Sequence, residues 1–256
     1  MSQALPLNLE LPRKLGQHFL VRDAILNQLA VAACGRHTQR VVEIGPGKGA
    51  LTRHLLVLTD ELHVIELDLR LVRHLETKFA AIEKLHVHSG DVLDTDLSQW
   101  GPAAIAGNVP YYITSPIVEK FLSLDARFPI AVFLVQLEVA ERLLATPGTR
   151  DYGYLTVATQ LLCDVQLVCR VPPNAFVPPP KVGSAGVRLQ RKASPPENLS
   201  ELLRFVSRSF AHKRKTLRNN LRPFYGERAD SIPEAGLRAE QLNIDQFVRL
   251  HASLSS

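Results

Sequence analysis

The sequence predicts a doubly wound α/β fold with an antiparallel edge, followed by a small all-helical unit. Three observations carry this prediction. Short apolar runs alternate with helical stretches as far as residue 192; two β-rich runs near the end of that region lie too close together for a crossover helix; and beyond them no strand pattern recurs. Continuous apolar runs are what strands buried on both faces of a parallel sheet require.

The elements follow in order. Val41-Val42-Glu43-Ile44 leads into a glycine-rich turn and then a helix near Ala50 to Leu58. Leu62 to Glu66 reads as the second strand and Asp68 to Glu83 as the next helix. Leu85 to His88 is a third strand ending at Gly90-Asp91, Ala103 to Gly107 a fourth, and Ile130 to Val135 a fifth. Val165 to Val171 and Gly183 to Leu189, joined by a proline-rich loop, are expected to pair antiparallel at a sheet edge. Lys192-Ala193-Ser194-Pro195-Pro196-Glu197 reads as a linker. It divides the chain into a larger unit, residues 1–192, and a smaller one, residues 193–256.

At 100° per residue, a helix through residues 202–222 places Leu202, Leu203, Val206, Phe210, Leu217 and Leu221 on one face. Arg204, Arg208, Lys215, Arg218 and Arg222 fall on the other. With Lys213 and Arg214 they make seven basic residues with no acid among them. Favourable i,i+4 pairs need acids, so a run without any suggests a polyanionic partner more than a paired surface. A plain solvated face remains the alternative.

Composition bounds the function. The chain has 256 residues, 46% hydrophobic and 21% charged, with a formal net charge of +5, which suits a globular protein and excludes a disordered tail. No apolar run approaches the roughly 18 residues of a membrane span, and no secretory signal is expected from the N-terminal residues. The three cysteines, Cys34, Cys163 and Cys169, lack metal-ligand spacing, which argues against a disulfide scaffold or zinc ribbon and for a reducing cytoplasm. The nine histidines show no metal spacing either, so no metal site is expected; His86 and His88 alternate on one strand and are expected to pack against a neighbouring helix.

Glu43-Ile44-Gly45-Pro46-Gly47-Lys48-Gly49-Ala50 sits where a strand runs into a helix, a place where glycines let the chain turn and a ligand approach the backbone. A turn that binds nothing is the bland reading. The absence of Gly-Lys-Ser/Thr excludes a phosphate-cradling P-loop. Glu66, about twenty residues on, suits ribose hydroxyls, and Asp91 after the third strand suits an adenine amino group. Acids after two successive strands favour an adenosine without phosphates, hence S-adenosyl-L-methionine over a nicotinamide cofactor. For Asp91 a helix N-cap is the competing role.

The sharpest signal is Gly107-Asn108-Val109-Pro110-Tyr111 after the fourth strand. An exocyclic amine on adenine is a poor nucleophile because its lone pair is delocalised into the ring. The Asn108 side-chain oxygen and the Val109 carbonyl are candidate acceptors that would hold such a nitrogen toward tetrahedral geometry. Pro110 would fix the turn, and Tyr111 offers a stacking face. A sulfonium donor needs no strong general base, so positioning and electrostatics suffice.

These motifs, taken together, resemble the ribosomal RNA adenine N6-dimethyltransferases. Lys14-Leu15-Gly16-Gln17-His18-Phe19-Leu20 resembles that family's N-terminal motif. Glu43 to Gly47, Glu66-Leu67-Asp68, Gly90-Asp91 and Asn108 to Tyr111 are similar to its successive motifs, and Phe176-Val177-Pro178-Pro179-Pro180-Lys181-Val182 with Ser184-Ala185 to a late block. The resemblance runs from about Lys14 to Leu221.

It implies a Rossmann-like methyltransferase sheet and a specific set of roles. Gln17, His18 and Leu20 would lie by the methionine part of the cofactor. Gly45, Gly47, Glu66, Asp91, Val92 and Asn108 would hold the rest of it. Asn108, Val109, Pro110 and Tyr111 would hold the target base, with Phe176 closing on its other face. Arg204, Arg208, Lys213, Arg214, Lys215, Arg218 and Arg222 would grip RNA.

Within the family the pattern is most similar to the bacterial enzymes that dimethylate two adjacent adenines in the 3′-terminal hairpin loop of small-subunit ribosomal RNA. The implied partner is that RNA within a ribosomal subunit or its precursor, met by a cytoplasmic monomer with no membrane partner. His18 stands where the family usually has Asn, and Val109 where Leu is usual. A large-subunit adenine methyltransferase of the macrolide-resistance type, a non-catalytic ribosome-assembly factor and a nicotinamide-dependent dehydrogenase are the competing readings.

Overall fold

A computed structural model describes residues 18–255. Strands β2 (Thr38–Ile44), β3 (Thr59–Glu66), β4 (Leu85–Ser89), β5 (Ala104–Asn108) and β6 (Ile130–Gln136) form a parallel sheet, which β9 (Ser184–Arg191) and β7 (Cys163–Val171) extend antiparallel. The order is β4-β3-β2-β5-β6-β9-β7, so the chain reverses direction across the sheet between β2 and β5. The expected antiparallel edge is present. Open α/β sheets leave a crevice at such a reversal, beyond the carboxyl ends of the strands.

Both faces of the sheet are covered, which is why its strands read as unbroken apolar runs. On one side α1 (Asp23–Cys34), α2 (Thr52–Leu58) and α3 (Leu69–Lys78) pack Leu26, Leu29, Leu55 and Leu75 against Val41, Leu62 and Val64. On the other, α4 (Thr114–Ser123), α5 (Leu137–Leu144) and α6 (Tyr154–Leu162) bring Phe121, Val139 and Ala158 against Val42, Ile105 and Phe133. The helix expected to reach Glu83 ends at Lys78, where the Phe79 N–H caps the Leu75 carbonyl and the Phe79 ring turns back to the core.

A two-stranded ribbon, absent from the sequence reading, joins β1 (Phe19–Leu20) to β8 (Phe176–Val177), with Leu20 opposite Phe176. The Phe176 ring is only 2% exposed and packs with Leu20, Val171 and Ala175. The ribbon pairing turns both residues inward.

His86 and His88 pack against other rings, and for His88 one of these is Trp100 of the short helical turn Leu97–Trp100. His63 on β3 stacks on His86 at 4.8 Å and on His88 at 5.3 Å, and Trp100 stacks on His63 at 5.1 Å. Parallel register, with His63 opposite His86, brings them together.

After β9 the described residues form only helices and turns. The continuous helix expected over residues 202–222 is instead two, α7 (Leu199–Ser209) and α8 (Leu217–Tyr225), followed by α9 (Ile244–Ser255). Asn220 Nδ2 donates to the carbonyls of Ser209 and His212, bridging the break. Leu202, Val206, Leu217 and Leu221 are buried as expected, together with Phe205 and Phe247. Their cluster also takes in Val157 and Leu161 of α6, so the helical unit rests on the sheet layer. No helix of the described residues is long and apolar enough to cross a membrane.

Candidate active site

The crevice at the strand reversal holds two adjoining clefts. One, about 810 Å³, is walled by His18, Phe19, Leu20, Glu43, Gly45, Gly47, Glu66 and Asn108 to Tyr111. The other, about 480 Å³, is walled by Ile65, Glu66, Gly90, Asp91, Val92, Pro110, Tyr112 and Ile113. Gly45, Glu66 and Pro110 border both, making one elongated trough along the carboxyl ends of β2, β3 and β5.

Its floor is the glycine turn. Gly45 and Gly47 have φ of 65° and 58°, a region that disfavours side-chain residues. A Cβ on Gly45 would sit 3.4 Å from the Asn108 carbonyl, and one on Gly47 would press the Phe19 ring at 3.0 Å. Bare backbone therefore lines the trough where β2 and β5 end side by side.

Glu66 is 6% exposed and ties two turns together: Oε2 accepts from the Gly47 N–H at 3.1 Å and Oε1 from the Asp68 N–H at 3.0 Å. Burial raises its pKa. Asp91 accepts the Leu93 N–H through Oδ1 at 2.8 Å, so it caps the turn after β4 while bordering the second cleft. The N-cap and ligand-binding readings of Asp91 are thus compatible, one oxygen serving the turn and the other remaining for a ligand. Val92 is buried in the same wall.

Asn108 ends β5 at the cleft mouth. Its Nδ2 donates to the His18 carbonyl at 3.1 Å. That bond fixes the amide's donor end and leaves Oδ1 as the acceptor. The anchor is main-chain, so His in place of Asn at position 18 does not alter it. The His18 ring bonds the Pro178 carbonyl through Nδ1 at 2.8 Å and lies nearly parallel to Tyr111, 6.0 Å away. The Tyr111 hydroxyl is 2.7 Å from the buried Ser184 Oγ, which fixes the ring, and burial raises its pKa. Val109 is buried in the core, holding its peptide in place. Gln17 lies outside the described residues.

Three contributors escaped the sequence reading. Tyr112, 61% exposed, borders the second cleft; a second tyrosine directly after Tyr111 was its only signal. Glu43 lies beneath the first cleft with Oε2 accepting from Thr52 Oγ1 at 2.7 Å, and burial pushes it up to about 8. Ser184 was visible only as part of the late block.

The basic residues do not form one array. Arg218 and Arg222 reach Asp230 at 3.2 and 3.9 Å, an acid beyond the run that the sequence reading did not bring into play. Arg208 lies over the Phe224 ring at 4.3 Å, and Lys213 Nζ donates to the Arg150 carbonyl. Arg204, Arg214 and Lys215 are exposed.

A sheet reversing beside a glycine turn, with carboxylates at the ends of two successive strands and an amide at the end of a third, is the arrangement of an S-adenosylmethionine-dependent methyltransferase. Comparison with known proteins narrows this. The profile of the family described as "Ribosomal RNA adenine dimethylase" matches residues 8–255, and the chain belongs to that family. It is 40% identical to "Ribosomal RNA small subunit methyltransferase A" of Synechococcus elongatus over 94% of each chain, and 39% identical to the protein of that name from Pseudomonas aeruginosa over 95% of this chain and 94% of that one. Among solved structures it is similar to a dimethyladenosine transferase from Plasmodium falciparum (29% identity, TM-score 0.78, covering 91% of this chain and 96% of that one). The 23S rRNA methyltransferase ErmE is also similar (30% identity, TM-score 0.74, 93% and 100% covered).

Proposed function

We propose that the protein transfers methyl groups from S-adenosyl-L-methionine to N6 of two adjacent adenines in the 3′-terminal hairpin loop of small-subunit ribosomal RNA, giving N6,N6-dimethyladenine in ribosome biogenesis. The observation that carries the chemistry is the orientation of Asn108, whose Nδ2 is held by His18 so that Oδ1 is free to accept. Curated relatives across nearly the whole chain support the small-subunit substrate over the large-subunit one.

The trough fits the cofactor: backbone without side chains at Gly45 and Gly47, a buried carboxylate at Glu66, and Asp91 with Val92 at the far end. When bound, the cofactor supplies a methyl group on a positively charged sulfur that needs no further activation. Glu66 would accept from the ribose hydroxyls and Asp91 from the adenine amino group. His18 and Leu20 wall the opposite end, where they would hold the methionine part.

The target adenine rests on Tyr111, fixed by Ser184. Asn108 Oδ1 and the Val109 carbonyl each accept one N6–H, drawing the nitrogen out of conjugation and pointing its lone pair at the methyl carbon. The amine proton leaves to solvent after transfer. Preorganised acceptors and positioning supply the rate, since no strong base is required. After one transfer a single N6–H remains, and rotation about the C6–N6 bond presents it to either acceptor for the second.

Residues 1–192 act as the methyltransferase domain and residues 193–256 as a small helical RNA-binding domain. Support comes from the seven basic residues, Arg204, Arg208, Lys213, Arg214, Lys215, Arg218 and Arg222, all exposed but the half-buried Arg208, of which only Arg218 and Arg222 pair with an acid, Asp230, among the described residues. A cytoplasmic monomer acting on a ribosomal subunit or its precursor completes the reading. Primer extension on both ribosomal RNAs after incubation with enzyme and cofactor tests it. A stop in the small-subunit 3′ hairpin is expected, and a stop only in large-subunit RNA would replace this reading with the other.

A further inference from the structure

Away from the trough, toward the amino ends of β3 and β4, three side chains converge on one face of the sheet. Glu61 Oε1 lies 3.0 Å from His63 Nε2 and 3.6 Å from His86 Nε2, and the three atoms lie within 4.8 Å of one another. A tetrahedral zinc-like ion with ligands at about 2.0–2.2 Å sets neighbouring donors about 3.4 Å apart; the two separations from Glu61 Oε1 lie near that value, and the cluster's outer span of 4.8 Å closes by a side-chain adjustment of His86, the more exposed of the two imidazoles.

The surroundings hold the donors as metal ligands are held. His63 Nε2 lies 3.0 Å from the accepting Glu61 Oε1, a contact that carries a proton when no ion is bound; an ion at Nε2 requires the ring proton on Nδ1 instead, where His88 Nε2, 3.0 Å away, can accept it. Arg40 Nε donates to Glu61 Oε2 at 2.6 Å, leaving Oε1 for an ion. Trp100 stacks on His63 at 5.1 Å and lies tilted against His88 at 4.7 Å, fixing the inner ring. His86 and Glu61 are part-exposed at 44% and 31% of their side chains, which gives an ion access and leaves room for water as a fourth ligand. The guanidinium of Arg40 opposes a cation, so the expected ion is one that gains from imidazole ligands, not a hard cation such as magnesium.

We propose that Glu61, His63 and His86 form a binding site for a divalent transition-metal ion of the zinc, cobalt or nickel type. The linear sequence conceals it because its members come from adjacent strands in parallel register, with His63 opposite His86. The site ties β3 to β4, an edge strand, and is separate from the methyl-transfer trough.

Trp100 is the chain's single tryptophan, so its fluorescence reports on this site alone. Full-length metal-stripped protein is titrated with cobalt(II) and nickel(II) chloride while tryptophan emission and the cobalt visible spectrum are followed. Saturable quenching at one equivalent, a four-coordinate cobalt spectrum without thiolate charge-transfer bands, and reversal by zinc are expected. His86→Ala and Glu61→Gln, both at part-exposed positions that leave the fold intact, should each weaken binding at least tenfold, and His74→Ala should not change it. The proposal is overturned by quenching that does not saturate near one equivalent, by thiolate bands showing cysteine ligation, or by folded His86→Ala protein that binds cobalt as wild type does.

Discussion

The amide of Asn108 can serve a planar amine only if its oxygen faces the acceptor, and the bond from Nδ2 to the His18 carbonyl imposes that sense. Asn108→Ala should therefore lower kcat by about a hundredfold or more, the scale on which removing one preorganised hydrogen-bonding group acts, while the protein keeps its melting temperature. Steady-state kinetics with undermethylated small subunits would measure it. Glu66 accepts two backbone N–H bonds and faces the trough, so Glu66→Gln should weaken cofactor binding by about tenfold or more, read by calorimetry.

Glu43 yields a pH prediction. Its folded pKa is raised to about 8 from 4.5, so between those values the folded state holds a proton that the unfolded state has lost. Stability from this group is fully present below about pH 4.5 and is lost as pH rises toward about 8. Urea melts of wild type and Glu43→Gln across that range should show the wild type losing stability relative to the variant. Equal slopes would show that Glu43 is ionised in the fold.

At the scale of elements, the strands of the main sheet were legible because burial on both faces writes them as apolar runs. The β1–β8 ribbon was not: strands of two residues carry no periodicity, and the pairing joins distant parts of the chain, Phe19 to Val177 and Leu20 to Phe176. Without that pairing, Phe176 reads as a free aromatic. Buried as it is, Phe176→Ala should cost about 3–5 kcal/mol of stability, seen as a lower urea midpoint, besides any effect on activity.

The break between α7 and α8 was hidden for a related reason. Ala211 to Thr216 contains no glycine or proline, and the bridge that replaces helical bonds comes from a later residue, Asn220. With the helix divided, Arg204 and Lys215 are the basic residues to test, being exposed and without an acid in the run. Their joint replacement by Ala should reduce the slope of log affinity for single-stranded RNA against log salt by about 0.7 for each phosphate left without its cation. An unchanged slope would place the RNA elsewhere.

For the whole molecule, the trough was legible because its chemistry sits at strand ends. Gly45, Glu66, Asp91 and Asn108 each close a recognisable apolar run, and a parallel sheet delivers all such ends to one edge. What remained hidden depends on register between strands or on pairings between distant parts of the chain. The Glu61–His63–His86 cluster, the Tyr111–Ser184 bond and the Asp230 pairing of Arg218 and Arg222 are of this kind.

The most direct test uses labelled S-adenosylmethionine and small-subunit particles prepared without the modification, with wild type and Asn108→Ala side by side. Incorporation recovered as N6,N6-dimethyladenine from the 3′-terminal hairpin, with an initial rate lower by about a hundredfold or more in the variant, is the predicted result. Failure of folded, cofactor-binding wild type to label these particles, or an initial rate in Asn108→Ala close to that of wild type, would contradict the account.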